Sequence, residues 1–120
     1  MQLNDQTALA PITIDGYTAS EIIINQTAYL HNVQLGDDVA PCLHASPHDL
    51  ALPDFQAALN AGAEIILIGT GEKQQFLSPK LAVELSAHGA ALECMTTAAA
   101  CRTYALLASE GRKVWAWLWV

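Results

Sequence analysis

The sequence is short of positive charge. Only five of its 120 residues are Lys or Arg, against 12 Asp and Glu, which leaves a net charge of −7. A basic surface able to hold nucleic acid or an anionic membrane is therefore not expected. Long apolar runs are missing as well. Stretches such as Ile22–Ile24 and Ile65–Ile68 fall far below the roughly 18 residues of a membrane-spanning helix. Cysteine is sparse and odd in number: three residues, irregularly spaced, cannot all pair. The plain reading is a reduced, cytoplasmic protein with buried thiols. Met1–Asp5 carries no basic stretch followed by an apolar one, so no signal peptide is expected. There is no internal repeat, low-complexity tract or linker, and residues 1–120 read as a single domain.

What is present is apolar material. Hydrophobic residues make up 52% and charged residues 14%, the reverse of a disordered chain. A chain of this length can close around a core without disulfides or a structural metal.

Periodicity divides the chain. Up to about Leu43 it reads as short strands: Ile12 and Ile14 alternate until Gly16, and Glu21–Ile24 ends at Asn25-Gln26. Tyr29, His31, Val33 and Leu35 fall on one face at period two until Gly36, and Val39–Leu43 follows as a further strand. The connections are too short for crossovers, so these strands are expected to be antiparallel. From Ser46 the period lengthens. Pro53 to Ala61 reads as a helix stopped by Gly62, and Glu64–Ile68 as a strand covered on both faces. Ser78-Pro79 opens a helix in which Leu81, Leu85 and His88 follow, with Gly89 as its stop. Ala91–Met95 is a strand. Thr97 is expected to cap the next helix, with Tyr104, Leu107 and Ala108 inward and Gly111 at its end, and Lys113–Val120 is the last strand. The alternation predicts an α/β fold with a largely parallel sheet and added antiparallel strands.

Chemistry is expected where strands end. Ile65–Ile68 runs into Gly69-Thr70-Gly71, placing flexible backbone at the carboxyl end of the sheet, where open α/β sheets bind ligands. Neither named glycine motif is complete. Lys73 is followed by Gln74 rather than Ser or Thr, and the helix opens only at Ser78, so a plain tight turn competes with a phosphate cradle. Met95, Thr97, Arg102 and Tyr104 lie at and beyond the end of the next strand. If the two strands are neighbours, the turn and the helix start adjoin, and free N–H groups with Arg102 make an anion pocket. The simpler alternative pairs Arg102 with Glu72 or Glu93. Cys101, early in that helix, is a candidate nucleophile, but its alanine-rich surroundings favour an inert core thiol. Cys42, His44 and His48 resemble zinc ligands at a spacing that matches no zinc motif, so no metal and no cofactor is expected. Trp115, Trp117 and Trp119 must share one face of the last strand. Burial is the favoured reading, because both faces of that strand are apolar. The alternative is a partner-binding stripe.

Gly69-Thr70-Gly71, Gln75-Phe76, Pro79, Glu93–Thr97, Ala99–Tyr104 and Glu110–Arg112, in this order, resemble the family of complex I (NADH:ubiquinone oxidoreductase) assembly factor 3. That family takes in the adipogenesis-associated domain and many bacterial proteins of a domain of unknown function. The resemblance spans about Asp15 to Val120. It implies three layers: a mixed central sheet, helices on one side and a small antiparallel β layer on the other. It implies no established catalysis, and protein–protein contacts during assembly of a respiratory complex. Ala105 stands where such proteins usually carry Asn, which alters any site built on that amide. The Trp-rich end is also bulkier than the small aliphatic end expected of relatives. Two functions follow. One is a non-enzymatic interaction or assembly protein, with homo-oligomerisation left open. The other is a binding protein or enzyme for a small anionic ligand at the Gly69–Gly71 and Thr97 cleft.

Overall fold

The computed structural model describes residues 12–120. The Met1–Asp5 start, where no signal peptide is expected, lies outside the described residues. Two sheets form. A three-stranded antiparallel sheet holds β1 (Ile14–Tyr17), β2 (Ile22–Ile24) and β3 (Thr27–Tyr29). A five-stranded mixed sheet is ordered β5 (Val39–Pro41), β4 (Val33–Leu35), β8 (Val114–Leu118), β6 (Ile65–Gly69), β7 (Ala91–Met95). Strands β7, β6 and β8 run parallel, and β4 pairs antiparallel with β8 and β5.

Local chemistry explains the elements. Asn25 and Gln26 both take positive φ, the turn that joins β2 to β3 with the right twist. The Asp15 carboxylate steadies it by accepting from the Gln26 N–H at 2.7 Å. A 3-10 stretch, Leu52–Phe55, leads into the short helix α1 (Gln56–Asn60), where one continuous helix from Pro53 is expected. Helix α2 (Pro79–Ala87) starts as its sequence predicts: the Ser78 hydroxyl accepts from the Lys80 N–H, and proline fills the first position. His88 caps its C-terminal end and is exposed. Helix α3 (Thr97–Ser109) is capped by Thr96, not Thr97, because Thr96 has extended backbone and its hydroxyl accepts from the Ala99 N–H.

Each face of the large sheet carries its own core. On one face, Ile66, Ile68, Trp117 and Trp119 pack with Phe55, Ala58, Leu81 and Leu85 of α1, α2 and the turn before them. On the other, Leu67, Ala116 and Leu118 pack with Ile22 and Ile24 of the small sheet and with Ala100, Cys101 and Tyr104 of α3. The mixed sheet, the helical layer and the small antiparallel layer are thus all present, and α3 lies beside the small sheet.

One expectation about the strands is corrected. Tyr29 to Leu35 is not a single strand: β3 belongs to the small sheet and β4 to the large one. Asn32 fixes the crossing between them, its side-chain carbonyl accepting from the Val120 N–H at 2.9 Å and its own carbonyl from the Cys42 N–H.

Candidate functional site

The connection after β6 leads to α2 on one face, and that after β7 leads to α3 on the other. Adjacent parallel strands whose continuations diverge leave a crevice at their carboxyl ends. A cavity of about 440 Å³ opens there, lined by Tyr17, Thr18 and Ala19 of the small sheet, Gly71 and Glu72 after β6, Thr96–Ala98 at the start of α3, and Trp119 and Val120.

The glycine turn and the helix start do adjoin. The Thr97 N–H donates to the Gly71 carbonyl, and the Gly71 N–H donates to the Thr97 hydroxyl, both at 2.9 Å. That hydroxyl in turn donates to the Trp119 carbonyl at 2.6 Å. One buried side chain therefore ties together the ends of β6, β7 and β8. Gly69 is what lets them meet: a Cβ there would stand 2.9 Å from Leu118 Cδ2 and 3.0 Å from Thr97 Cα. Gly71 takes φ +94, which suits glycine. Thr70 is spent in the same way. Its hydroxyl donates to the Lys73 carbonyl at 2.7 Å and accepts from the Gln75 N–H at 3.1 Å.

Of the seven candidate ligand residues, Gly71 and Thr97 line the cavity. Gly69 and Thr70 are buried and do not line it, Tyr104 is core, and Met95 is half-buried against that core. Arg102 pairs with neither Glu72 nor Glu93. Its guanidinium donates to the Tyr17 hydroxyl at 2.9 Å, because α3 lies beside the small sheet. Tyr17, which sequence reasoning missed, is both a cavity wall and the anchor of Arg102. No local signal marks it, since its role depends on which layer covers the cleft. Among the described residues no bond is made by the Ala98 N–H, the free donor at this helix start.

The other candidates disperse. The His44 Nε2 meets Asp54 Oδ1 at 2.8 Å, the His48 Nε2 meets Gln75 Oε1 at 2.7 Å, and Cys42 is buried. These side chains do not converge on a common point. Burial pushes the Cys101 thiol up to about 11, only partly offset by the Arg102 charge, so it is a poor nucleophile near neutral pH. Burial likewise raises the thiols of Cys42 and Cys94 and the Tyr104 phenol. The tryptophan stripe faces the helical core. Trp117 is 1% and Trp119 5% exposed, so neither offers a partner surface, and Trp115 is half-buried over Gly36. The Trp119 indole N–H is buried with no hydrogen-bond partner among the described residues.

Two sheets sharing a core with a crossover helix, and a cleft at the parallel strand ends, form an Mth938-like fold. A Bordetella pertussis protein described as an Mth938-like domain is 28% identical, with a TM-score of 0.76 over 99% of this chain and 92% of that one. The chain belongs to the family described as protein of unknown function (DUF498/DUF598), which matches residues 14–119. A crystal structure from Bordetella parapertussis is 36% identical, covers 93% of this chain and 98% of its own, and has a TM-score of 0.84. A Francisella tularensis protein named 13 kDa major membrane protein is 30% identical over 122 residues, 95% of each chain. No helix among the described residues is long and apolar enough to cross a membrane.

Proposed function

We propose that this protein is a non-catalytic interaction module that serves assembly of a larger complex, as its resemblance to the complex I assembly factor 3 family implies. The observation that carries this reading is the internal use of the reactive groups around the cleft. The Thr70 and Thr97 hydroxyls hold strand ends together, Arg102 holds Tyr17, and burial suppresses the Cys101 thiol. Large apolar side chains meanwhile stand in solvent, Leu43 at 90% and Phe76 at 73% exposure. Its compartment, on this reading, is the cytoplasm, where the three free thiols stay reduced. The Francisella relative's membrane name fits a peripheral role beside a membrane-embedded complex.

The cavity favours a second reading, a small anionic ligand held at the Ala98 N–H, with Arg102 bonded to the lining residue Tyr17. One experiment separates them. Cross-linking in the native host followed by mass spectrometry should give one dominant, stoichiometric protein partner. The alternative would prevail if no partner is captured and phosphate, sulfate or a carboxylate raises the melting temperature of the wild type but not of Arg102→Ala.

A further inference from the structure

The five-stranded sheet ends at β7, and the hydrogen-bond pattern shows which way its backbone faces. The Ala91 N–H donates to the Glu64 carbonyl, and the Met95 carbonyl accepts from the Thr70 N–H. With the parallel register to β6, Ala91, Glu93 and Met95 turn their peptide groups toward β6, and Leu92 and Cys94 turn theirs outward. The Cys94 carbonyl is covered by the Gln74 side-chain amide at 3.0 Å. The Leu92 N–H and carbonyl and the Cys94 N–H make no bond among the described residues. The far edge of this sheet is different: β5 ends in Pro41, which has no N–H to offer.

Edges of this kind pair with another strand unless charge or cover prevents it. Here the guard is Glu93, exposed at the middle of β7. The two ion pairs among the described residues, His44–Asp54 and Arg112–Glu64, leave its carboxylate without a cation. A second copy of the chain brings the same carboxylate and a further net charge of −7, so self-pairing is opposed.

We propose that β7 is a docking edge for an extended segment of another protein that sets a Lys or Arg beside Glu93. The segment adds a sixth strand through Leu92 and Cys94, and the charge pair selects it. This inference rests on the interaction-module reading and names its surface.

The test is a nitrogen-15 NMR titration of the full chain with two blocked hexapeptides of alternating Thr and Val, one with a central Lys and one with a central Glu. The Lys peptide should shift the Leu92, Glu93 and Cys94 amides and bind about fivefold more tightly than the Glu peptide. Glu93→Lys, an exposed substitution that leaves the core alone, should reverse the preference. Shifts confined to other residues, no shift at millimolar peptide, equal affinity for both peptides, or concentration-dependent self-association through the same amides would each overturn the proposal. If it fails while native-host cross-links still capture a partner elsewhere on the surface, the interaction reading stands and only the edge is wrong.

Discussion

Two isoleucine runs in this protein have different fates. In β6, Ile66 and Ile68 enter the helical core and Leu67 the opposite one, with partner strands along both edges. In β2, Ile22 and Ile24 are buried, but Ile23 on the other face is half-exposed, because among the described residues no further layer covers the outside of the small sheet. The comparison teaches that burial is set by the number of layers around a strand and not by its own hydrophobicity. Stability should therefore concentrate around β6 and β8 and thin out toward β1–β3.

Substitutions can break this contrast. The largest effect is expected at Trp117, which meets Phe55 edge-on at 4.8 Å between ring centres. Trp117→Ala should cost about 3–5 kcal/mol in denaturant unfolding, through lost burial and the cavity left behind. A cost below 1 kcal/mol would mean the helical core is loosely packed. Next is Gly69→Ala, whose added Cβ crowds Leu118 and the Thr97 backbone; about 1–3 kcal/mol is expected by the same measurement. Gly71→Ala tests strain at positive φ alone, since no atom of the described residues stands within 4 Å of the Cβ it would gain.

A smaller effect concerns acid. Burial raises the Asp54 carboxyl, but hydrogen bonds from His44 and the Ala51 N–H, with the His44 charge, outweigh it and hold the group below its ordinary 3.8. A lowered carboxyl stabilises the fold above its unfolded value, and that stability is lost as pH falls through the lowered folded value. Wild type should therefore lose stability below about pH 4 more steeply than Asp54→Asn. Parallel acid profiles for the two proteins would refute this linkage.

The smallest effect belongs to the thinner layer. Tyr17→Phe removes the Arg102 bond at the surface and should cost about 0.5–1 kcal/mol. Hydrogen exchange should quicken at β1–β3 while β6 and β8 keep their protection. Uniform quickening would show that the small sheet is not a separate unit.

Legibility followed range. Ser78-Pro79 and the stops at Gly62, Gly89 and Gly111 could be read because capping and positive φ are decided within a few residues, and all three glycines do take positive φ. The meeting of Gly71 with Thr97 was readable because two neighbouring parallel strands end there. The split between β3 and β4 was hidden, since Tyr29, His31, Val33 and Leu35 keep one period across a change of sheet. The cap moved by one residue because two threonines are adjacent and only tertiary contacts distinguish them: Thr97 is needed at Trp119. Tyr17 and its hold on Arg102 join residues 85 positions apart, beyond any local pattern.

The position of β8 has a consequence for synthesis. Although β8 follows every other strand of its sheet in the chain, it occupies the middle, between β4 and β6. Until residues 114–118 leave the ribosome, β4 and the nearly all-apolar β6 each have an unpaired edge in the nascent chain. At roughly 5–20 residues per second, the interval between β6 and β8 lasts seconds. The large sheet therefore closes in one late step, and chains interrupted before β8 carry two sticky edges at once, a natural substrate for chaperones and proteases.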